Sequence, residues 1–450
     1  HRILQRSYYL CSCKDIHFMK IILHILAIFA AGALSAQSLA EPFVGTEPAR
    51  STITPYGRAV DAKSGNPAQS NYVAKLAEWV ISEDGRECSS SFAVPVWWLN
   101  RQVFVRVGSS TSSYQVLVDD KVVGAAASGA TPVEFNITKL AKEGRHTLKV
   151  RQTECEQNSI NALVRAGVKP QISDIQVICQ PAIYVRDILC STTINNRGEG
   201  VAEFGLVIKC GTLNPKRARI GYILNLNDTT VLSRGYKDVA LDMRREDTIR
   251  FMAIVPQNSL WSIKNPHSLT LDIESRIDNR PVECISQKVG VRAADVADSK
   301  FYLNYQPLDL KLKNYEPSQP VTEQVTAENN GLVIPVYYAT EQLLEQCDKA
   351  GILVFIQSDV NTLTLAESIR RGGNPSNDPF WLETYLAFNR VAYYTTHLHP
   401  CVVGYAIAAG KTNGINIYES YLLLKKIEKR LPIIYEGAGG EWCSDEIKIR

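Results

Sequence analysis

The hydrophobic pattern of the sequence changes at about Ser299, and this change limits the folds that the chain can adopt. After it, helical patterns alternate with short apolar strands, as in TEQLLEQCDKAG before ILVFIQS and NIYESYLLLKKIEKR before LPIIYEG. Strands that alternate with helices pair in parallel, because each helix crosses over one face of the sheet. We therefore predict a (β/α) barrel or a doubly wound sheet over residues 296–450. A complete barrel needs about 250 residues, so the segment predicts a partial barrel.

The chain before Ser299 instead shows short strands separated by turns, which is typical of antiparallel sandwiches. We predict a jelly-roll-like β-sandwich over residues 45–168, in which YQVLVDDKVVG forms a hairpin with Asp119 and Asp120 at its turn. A second block, residues 169–295, begins with the strand ISDIQVICQ and has the length and strand spacing of an immunoglobulin-like sandwich. The predicted fold class is therefore multidomain, β followed by α/β.

The N-terminus has the layout of a secretory signal peptide over residues 19–38. Met19 is followed by one lysine, a mostly apolar run and small residues, with cleavage expected between Ser35 and Ala40. Residues 1–18 then form an upstream translated segment. We expect an exported protein, located in the periplasm, at the cell surface or outside the cell, without a membrane span after the signal is removed.

Composition argues against several partners and cofactors. The 49 basic and 46 acidic residues nearly cancel, which disfavours nucleic acid as a partner. Two of the 11 cysteines, Cys11 and Cys13, lie in the upstream segment, and the other nine lack metal-binding spacing, so we predict neither a metal nor a cofactor. Export permits disulfides, and free buried thiols are an equal alternative. The candidate pairs are Cys88 with Cys155, or two of Cys179, Cys190, Cys210 and Cys284.

Five stretches follow one another in an order that resembles glycoside hydrolase family 2, the β-galactosidase, β-glucuronidase and β-mannosidase group. They are VLVDDKVVGAAASGATPVEFNIT, NSLWSIKNPHSLTLDI, VGVRAADVADSKFYLNYQPLDLKLKN, LLEQCDKAGILVF and HPCVVGYAIAAGKTNG. The third stretch matches the family at Gly290, Arg292 and Asn304, among other positions. The resemblance implies a jelly roll, an immunoglobulin-like sandwich and a glycosidase barrel.

The same resemblance implies that the catalytic groups of the family are missing. Retaining glycosidases use one carboxyl group as acid/base and a second as nucleophile. The family's Asn-Glu pair, whose Glu is the acid/base, aligns with Ala409 and Gly410, and its nucleophile lies on a later strand, beyond Arg450. Further family site positions align with neutral residues, namely Val333, Val336, Ile356 and Gln357.

Several side chains near the expected strand ends are candidate ligand contacts: Asp359, Asn361, Asn413, Glu436 and Trp442. A loop or structural role is the alternative for Asp359, Asn361 and Glu436. Four aromatic residues of the sandwiches are open to either sugar stacking or core packing: Trp97, Trp98, Tyr114 and Trp261.

We therefore predict an exported family 2-like protein that has lost hydrolytic activity and acts in carbohydrate binding or cell-envelope scaffolding. Its partners are then glycans or envelope proteins, and the oligomeric state stays open. Two alternatives remain, an active retaining β-glycosidase with its nucleophile beyond residue 450 and a secreted β-sandwich adhesin.

Overall fold

The computed structural model describes residues 47–110, 113–126, 132–152, 172–227, 229–242, 245–362, 374–439 and 443–447. The predicted signal peptide, Cys155 and Trp442 lie outside these ranges. Within them, no helix has the length and apolar character needed to cross a membrane.

Two antiparallel sheets pack face to face to form the first sandwich. Its strands are β1 (Val80–Ile81), β2 (Glu87–Val94), β3 (Val103–Ser110), β4 (Tyr114–Val118), β5 (Lys121–Ala126), β6 (Val133–Asn136), β7 (Gly144–Gln152) and β8 (Ile172–Cys179). Helix α1 (Ala59–Ser64) precedes them in the chain and packs against the second sandwich. One sheet has the order β1-β2-β7-β4-β5 and the other β6-β3-β8. The inward side chains of both sheets form one core, in which Trp98 and Tyr114 are buried. Both residues therefore pack in the core rather than face a sugar.

The hairpin predicted at YQVLVDDKVVG is confirmed. Strands β4 and β5 pair with Val118 opposite Lys121, and Asp119 and Asp120 both adopt positive φ angles of 49° and 63°. Two central residues in the left-handed region define a type I′ turn, whose twist matches that of the paired strands.

The assignment of ISDIQVICQ to the second sandwich is wrong. Strand β8 pairs antiparallel with β3, for example Val105 opposite Val177, and so completes the first sandwich. Its short apolar run suits a strand of either sandwich, so the local pattern did not identify its partner.

The second sandwich contains seven strands: β9 (Ile183–Ile194), β10 (Gly200–Cys210), β11 (Lys216–Asn225), β12 (Val231–Leu241), β13 (Glu246–Val255), β14 (Leu269–Ile277) and β15 (Arg280–Val289). One sheet has the order β13-β10-β9 and the other β12-β11-β14-β15. Their facing apolar side chains form a separate core. The eight cysteines within the described ranges are all free thiols.

A small antiparallel sheet leads into five parallel strands. The small sheet contains β16 (Ala294–Ala297), β17 (Lys300–Leu303) and β18 (Gln306–Leu308). The parallel strands are β19 (Leu312–Asn314), β20 (Gly331–Pro335), β21 (Leu353–Gln357), β22 (Val402–Ala406) and β23 (Ile433–Ile434), paired in chain order. In the described part of this segment, three α-helices accompany them: α2 (Glu341–Ala350), α3 (Leu382–Thr396) and α4 (Ile415–Ile427). The predicted alternation of helix and parallel strand is confirmed.

The family-like motifs meet at the amino-terminal ends of these parallel strands. The indole Nε1 of Trp261 donates to the carbonyl of Asp348 at 2.9 Å, and Asn304 Nδ2 donates to the carbonyl of Trp261 at 3.0 Å. Arg292 Nε donates to the carbonyl of Pro400 at 2.6 Å. Trp261 is fully buried in the barrel core. These contacts join the second sandwich to the barrel.

Candidate functional site

The loops at the carboxyl ends of the five parallel strands form one face, here called the top face. In barrel enzymes, this is the end that carries ligand and catalytic groups. Three of the loops contact one another: residues 358–362 after β21, residues 407–414 after β22, and residues 435–439 after β23. The loop after β22 contains the position at which the family-like motif predicts a glutamate.

Backbone hydrogen bonds close the space between the loops after β21 and β22. Ala409 N donates to the carbonyl of Val360, and Thr362 N donates to the carbonyl of Ala409, both at 2.8 Å. Asn361 and Ala409 thereby form an isolated parallel bridge beyond the ends of the two strands. The loop after β22 is therefore fixed by main-chain pairing at the residue next to Gly410.

Buried hydroxyl groups connect all three loops. Thr362 Oγ1 lies 3.0 Å from the Tyr435 hydroxyl, which donates to the carbonyl of Thr412 at 2.8 Å. Burial raises the pKa of Tyr435 to about 12, so the phenol stays protonated at neutral pH. Sequence reasoning missed this network, because isolated Thr and Tyr residues carry no motif.

Gly410 is buried and has a φ angle of +118°. L-amino acids with a side chain rarely adopt this conformation, because the Cβ atom clashes with the backbone. The position aligned with the family's acid/base is thus held in a backbone geometry that favours glycine.

We predict that Gly410→Ala lowers the free energy of unfolding by about 1–3 kcal/mol, the cost of a strained φ angle. Gly221→Ala is the matched control, because a Cβ atom there meets nothing closer than 3.7 Å and the φ angle lies outside the strained range. Urea denaturation of both variants measures the difference. Equal stability of the two variants would contradict the strain at Gly410.

The structure places the candidate ligand contacts in different environments. Asp359 is fully buried in the loop after β21, and Asn361 is half-buried in the same loop. Asn413 is half-buried, and its Oδ1 accepts a hydrogen bond from Gly414 N at 2.8 Å. Glu436 is exposed after β23. Asp359, Asn361, Asn413 and Glu436 therefore lie on top-face loops, and their roles in binding remain predictions.

The neutral residues at the other aligned positions belong to the sheet itself. Val333 lies within β20, and Val336 is buried in the turn that follows β20. Ile356 and Gln357 are the last residues of β21, with Ile356 fully buried. Of these four residues, Gln357 alone has a polar side chain, an amide, and none of them carries a charge.

Three tyrosines gather on the top face after β19 and β20. The ring centroids of Tyr315 and Tyr338 are 5.6 Å apart, and those of Tyr337 and Tyr338 are 4.6 Å apart. All three are half-buried. Burial, and after it the charge of Asp359, raises the pKa of Tyr337, so its hydroxyl is a permanent hydrogen-bond donor. The sequence signal was the YY pair directly after an apolar strand.

Among the described residues, the carboxylates that follow the parallel strands lie in different environments. Glu316 is exposed and accepts from the Ser318 hydroxyl at 2.9 Å, Asp359 is buried, and Glu436 is exposed. The loop after β22 contributes none. Within the described ranges, no group of three or more His, Cys, Asp and Glu residues could hold a metal ion.

The chain has two β-sandwiches followed by a parallel α/β sheet, whose top face is polar and aromatic. This arrangement is that of a multidomain barrel protein. Residues 328–449 match the family model described as glycosyl hydrolases family 2, TIM barrel domain. A β-galactosidase of Pectobacterium atrosepticum is 22% identical over 384 residues, covering 80% of this chain and 36% of the relative. A β-galactosidase of Priestia megaterium is 20% identical over 368 residues, covering 76% and 35%. The chain is similar to glycoside hydrolase family 2 proteins, and the predicted resemblance is confirmed.

Solved structures support the same fold. Bacteroides uniformis β-glucuronidase 2 aligns with a TM-score of 0.61 at 15% identity, covering 78% of this chain and 46% of that structure. A glycosyl hydrolase family 2 member of Bacteroides cellulosilyticus gives a TM-score of 0.61 at 16% identity, covering 78% and 49%. The chain thus spans about a third of the length of the two β-galactosidases and about half of these two structures.

Proposed function

We propose that this chain binds carbohydrate on the top face of its barrel and does not hydrolyse it by the two-carboxylate reaction. The proposal rests on the residue at the position aligned with the acid/base, which is Gly410. Its backbone has a conformation that favours glycine, and the neighbouring residue Ala409 forms a backbone bridge with Asn361. Glycoside cleavage needs a carboxyl group that protonates the departing oxygen. The loop after β22 supplies no such group.

Carbohydrate binding is supported by the side chains that remain on the top face. Tyr315, Tyr337 and Tyr338 offer aromatic faces on which a sugar ring can pack, and the Tyr337 hydroxyl offers a donor. Asp359 and Asn361 lie on the neighbouring loop. The relatives are named β-galactosidase and β-glucuronidase, so we propose β-linked hexopyranosides as the ligand class.

The hydrolytic half of the proposal is tested with the full chain and p-nitrophenyl β-galactoside and β-glucuronide. We expect no release of nitrophenol above the rate without protein, while an active family 2 β-galactosidase serves as the positive control. Turnover that disappears in Asp359→Asn or Glu436→Gln would identify a recruited carboxylate and contradict the proposal.

The binding half is tested by calorimetric titration of the full chain with the methyl β-glycosides of galactose and glucuronic acid. Tyr337→Ala should weaken binding about tenfold, as expected from the loss of about 1.4 kcal/mol of stacking and hydrogen bonding. Tyr305→Ala is the matched control, since Tyr305 is exposed in the turn between β17 and β18. Equal affinity of both variants would contradict the assignment to the top face.

We further propose export, a jelly-roll-like first sandwich, an immunoglobulin-like second sandwich, and a role in envelope scaffolding. Export rests on the signal-peptide layout of residues 19–38. Mass spectrometry of the secreted product should find a new N-terminus between Ser35 and Ala40. Retention of the chain in the cytoplasm with this segment uncleaved would contradict export.

A further inference from the structure

A groove of about 600 Å³ lies on the outer face of the second sandwich. Its residues are distant in sequence from the barrel loops. It is here called the sheet groove, and its principal lining residues are Ala62, Lys63, Gly221, Tyr236, Asp272 and Glu274. The residues of the top face do not line it. The sheet groove is therefore a separate feature from the site described above.

The sheet groove exists because Gly221 leaves a gap in the outer row of side chains. Gly221 in β11 lies opposite Tyr236 in β12 and opposite Glu274 in β14. Helix α1 forms the second wall, and it is anchored because Ala62 packs with Tyr56 and Cys284 of β15. A Cβ atom built on Gly221 meets nothing closer than 3.7 Å, so the position has room for a side chain.

One wall of the sheet groove is a fixed aromatic ring. The guanidinium of Arg219 lies 4.3 Å from the ring centroid of Tyr236, and Arg219 is itself held by two hydrogen bonds to Asp238, at 2.8 and 3.0 Å. Tyr236 is nevertheless 61% exposed. The guanidinium covers one face of the ring, which leaves the opposite face for a ligand.

The polar groups of the sheet groove balance in charge. Its lining includes two carboxylates, Asp272 and Glu274, and two cationic side chains, Lys63 and Arg234. Two cations and two carboxylates give no net charge, which disfavours an anionic or cationic ligand. Carboxylates accept and cationic groups donate hydrogen bonds, a combination that suits a ligand rich in hydroxyl groups. An exposed aromatic face beside them suits the apolar C–H face of a sugar ring.

We propose that the sheet groove binds a pyranose ring of a neutral oligosaccharide. The ring packs on Tyr236 above Gly221, and its hydroxyl groups donate to Asp272 and Glu274. The proposal of this second glycan site does not depend on the loss of hydrolytic activity or on carbohydrate binding at the top face. It would hold the chain on a polymeric glycan independently of the top face.

The test is calorimetric titration of the full chain with cellotetraose, galactotetraose, mannotetraose and, as the charged probe, trigalacturonic acid. At least one neutral tetrasaccharide should bind, and Gly221→Val and Tyr236→Ala should each weaken that binding about tenfold or more. Ala240→Val is the matched control, because Ala240 is exposed on the same strand as Tyr236 and does not line the sheet groove. Thermal denaturation verifies that the variants are folded.

Three results would overturn the proposal. They are unchanged affinity in both groove variants, binding of trigalacturonic acid alone, and self-association in analytical ultracentrifugation that Gly221→Val abolishes. The last result would make the groove a contact between copies of the chain. Loss of tetrasaccharide binding in Tyr337→Ala but not in Gly221→Val would assign binding to the barrel and leave the proposed function intact. Turnover of aryl glycosides would contradict the proposed function without affecting the sheet groove.

Discussion

Replacing His399 by glutamine is expected to lower the free energy of unfolding by about 3–5 kcal/mol at pH 7, the cost of breaking a buried ion pair. His399 Nδ1 lies 2.7 Å from Asp348 Oδ2, and its Nε2 lies 3.2 Å from Glu341 Oε2. The second oxygen of Asp348 accepts from Cys401 N at 2.9 Å. One imidazolium thereby connects helix α2 to the segment that begins β22.

The protonation state of His399 determines the pH dependence of this contribution. Burial alone would lower the pKa of His399, but the hydrogen bonds to Asp348 and Glu341 outweigh it and raise the pKa to about 10. A raised pKa means that the folded protein holds the proton more tightly than the unfolded chain. The stabilisation is complete below pH 6.5 and is lost as the pH rises from 6.5 toward 10.

Chemical denaturation at pH 6, 8 and 10 measures both effects. The wild type should lose stability across this series, and His399→Gln should lose less of it. Glu341→Gln is the control, because the Glu341 side chain is 61% exposed and its ion pair should contribute about 1 kcal/mol or less. A loss below about 1 kcal/mol in His399→Gln, or a pH slope equal to that of the wild type, would contradict the role of the imidazolium.

The sequence predicted those parts of the fold that depend on local pattern. The Asp119-Asp120 turn and the alternation of helices with parallel strands are confirmed, because turn residues and hydrophobic period act within a few residues. The partner of strand β8 was predicted wrongly, since strand pairing depends on residues about 70 positions away in β3. The buried ion pairs of His399 were also invisible, because they join residues more than 50 positions apart.

The family-like motifs are best explained by the packing of the domains. Gly290 has no room for a side chain, since a Cβ atom there would lie 2.2 Å from Pro400, and Arg292 donates to the carbonyl of the same proline. Trp261 and Asn304 join this junction through the hydrogen bonds already described. The motifs that the sequence shares with family 2 thus include those that join the sandwich to the barrel. The positions that differ, Val333, Val336 and Gly410, lie toward the top face.

The second large effect is expected at Glu134, where Glu134→Gln should lower the free energy of unfolding by about 3–5 kcal/mol. Both oxygens of Glu134 accept from Arg50, at 2.8 and 2.9 Å, and one also accepts from Arg106. All three side chains are less than one tenth exposed. A neutral glutamine would leave two buried guanidinium groups without a counter-charge, which is far more costly than losing an exposed pair.

The acid limit of stability should change with the same substitution. Burial alone would raise the pKa of Glu134, but the charges of Arg50 and Arg106 outweigh it and lower the pKa to about 2. The carboxylate therefore stabilises the fold above pH 4.5, and this contribution is lost as the pH falls from 4.5 toward 2.

The control is Glu87→Gln, because Glu87 lies in a more exposed cluster with Lys149 and Arg151. This substitution should lower the free energy of unfolding by about 1 kcal/mol or less. If Glu134→Gln and Glu87→Gln unfold alike in acid titrations followed by tryptophan fluorescence, the buried triad does not hold residues 47–55 on the first sandwich. The expected result is that only Glu134→Gln loses stability at neutral pH and that its free energy of unfolding changes less with pH in acid. This result would show that residues 47–55 are anchored through Arg50 by electrostatic attraction.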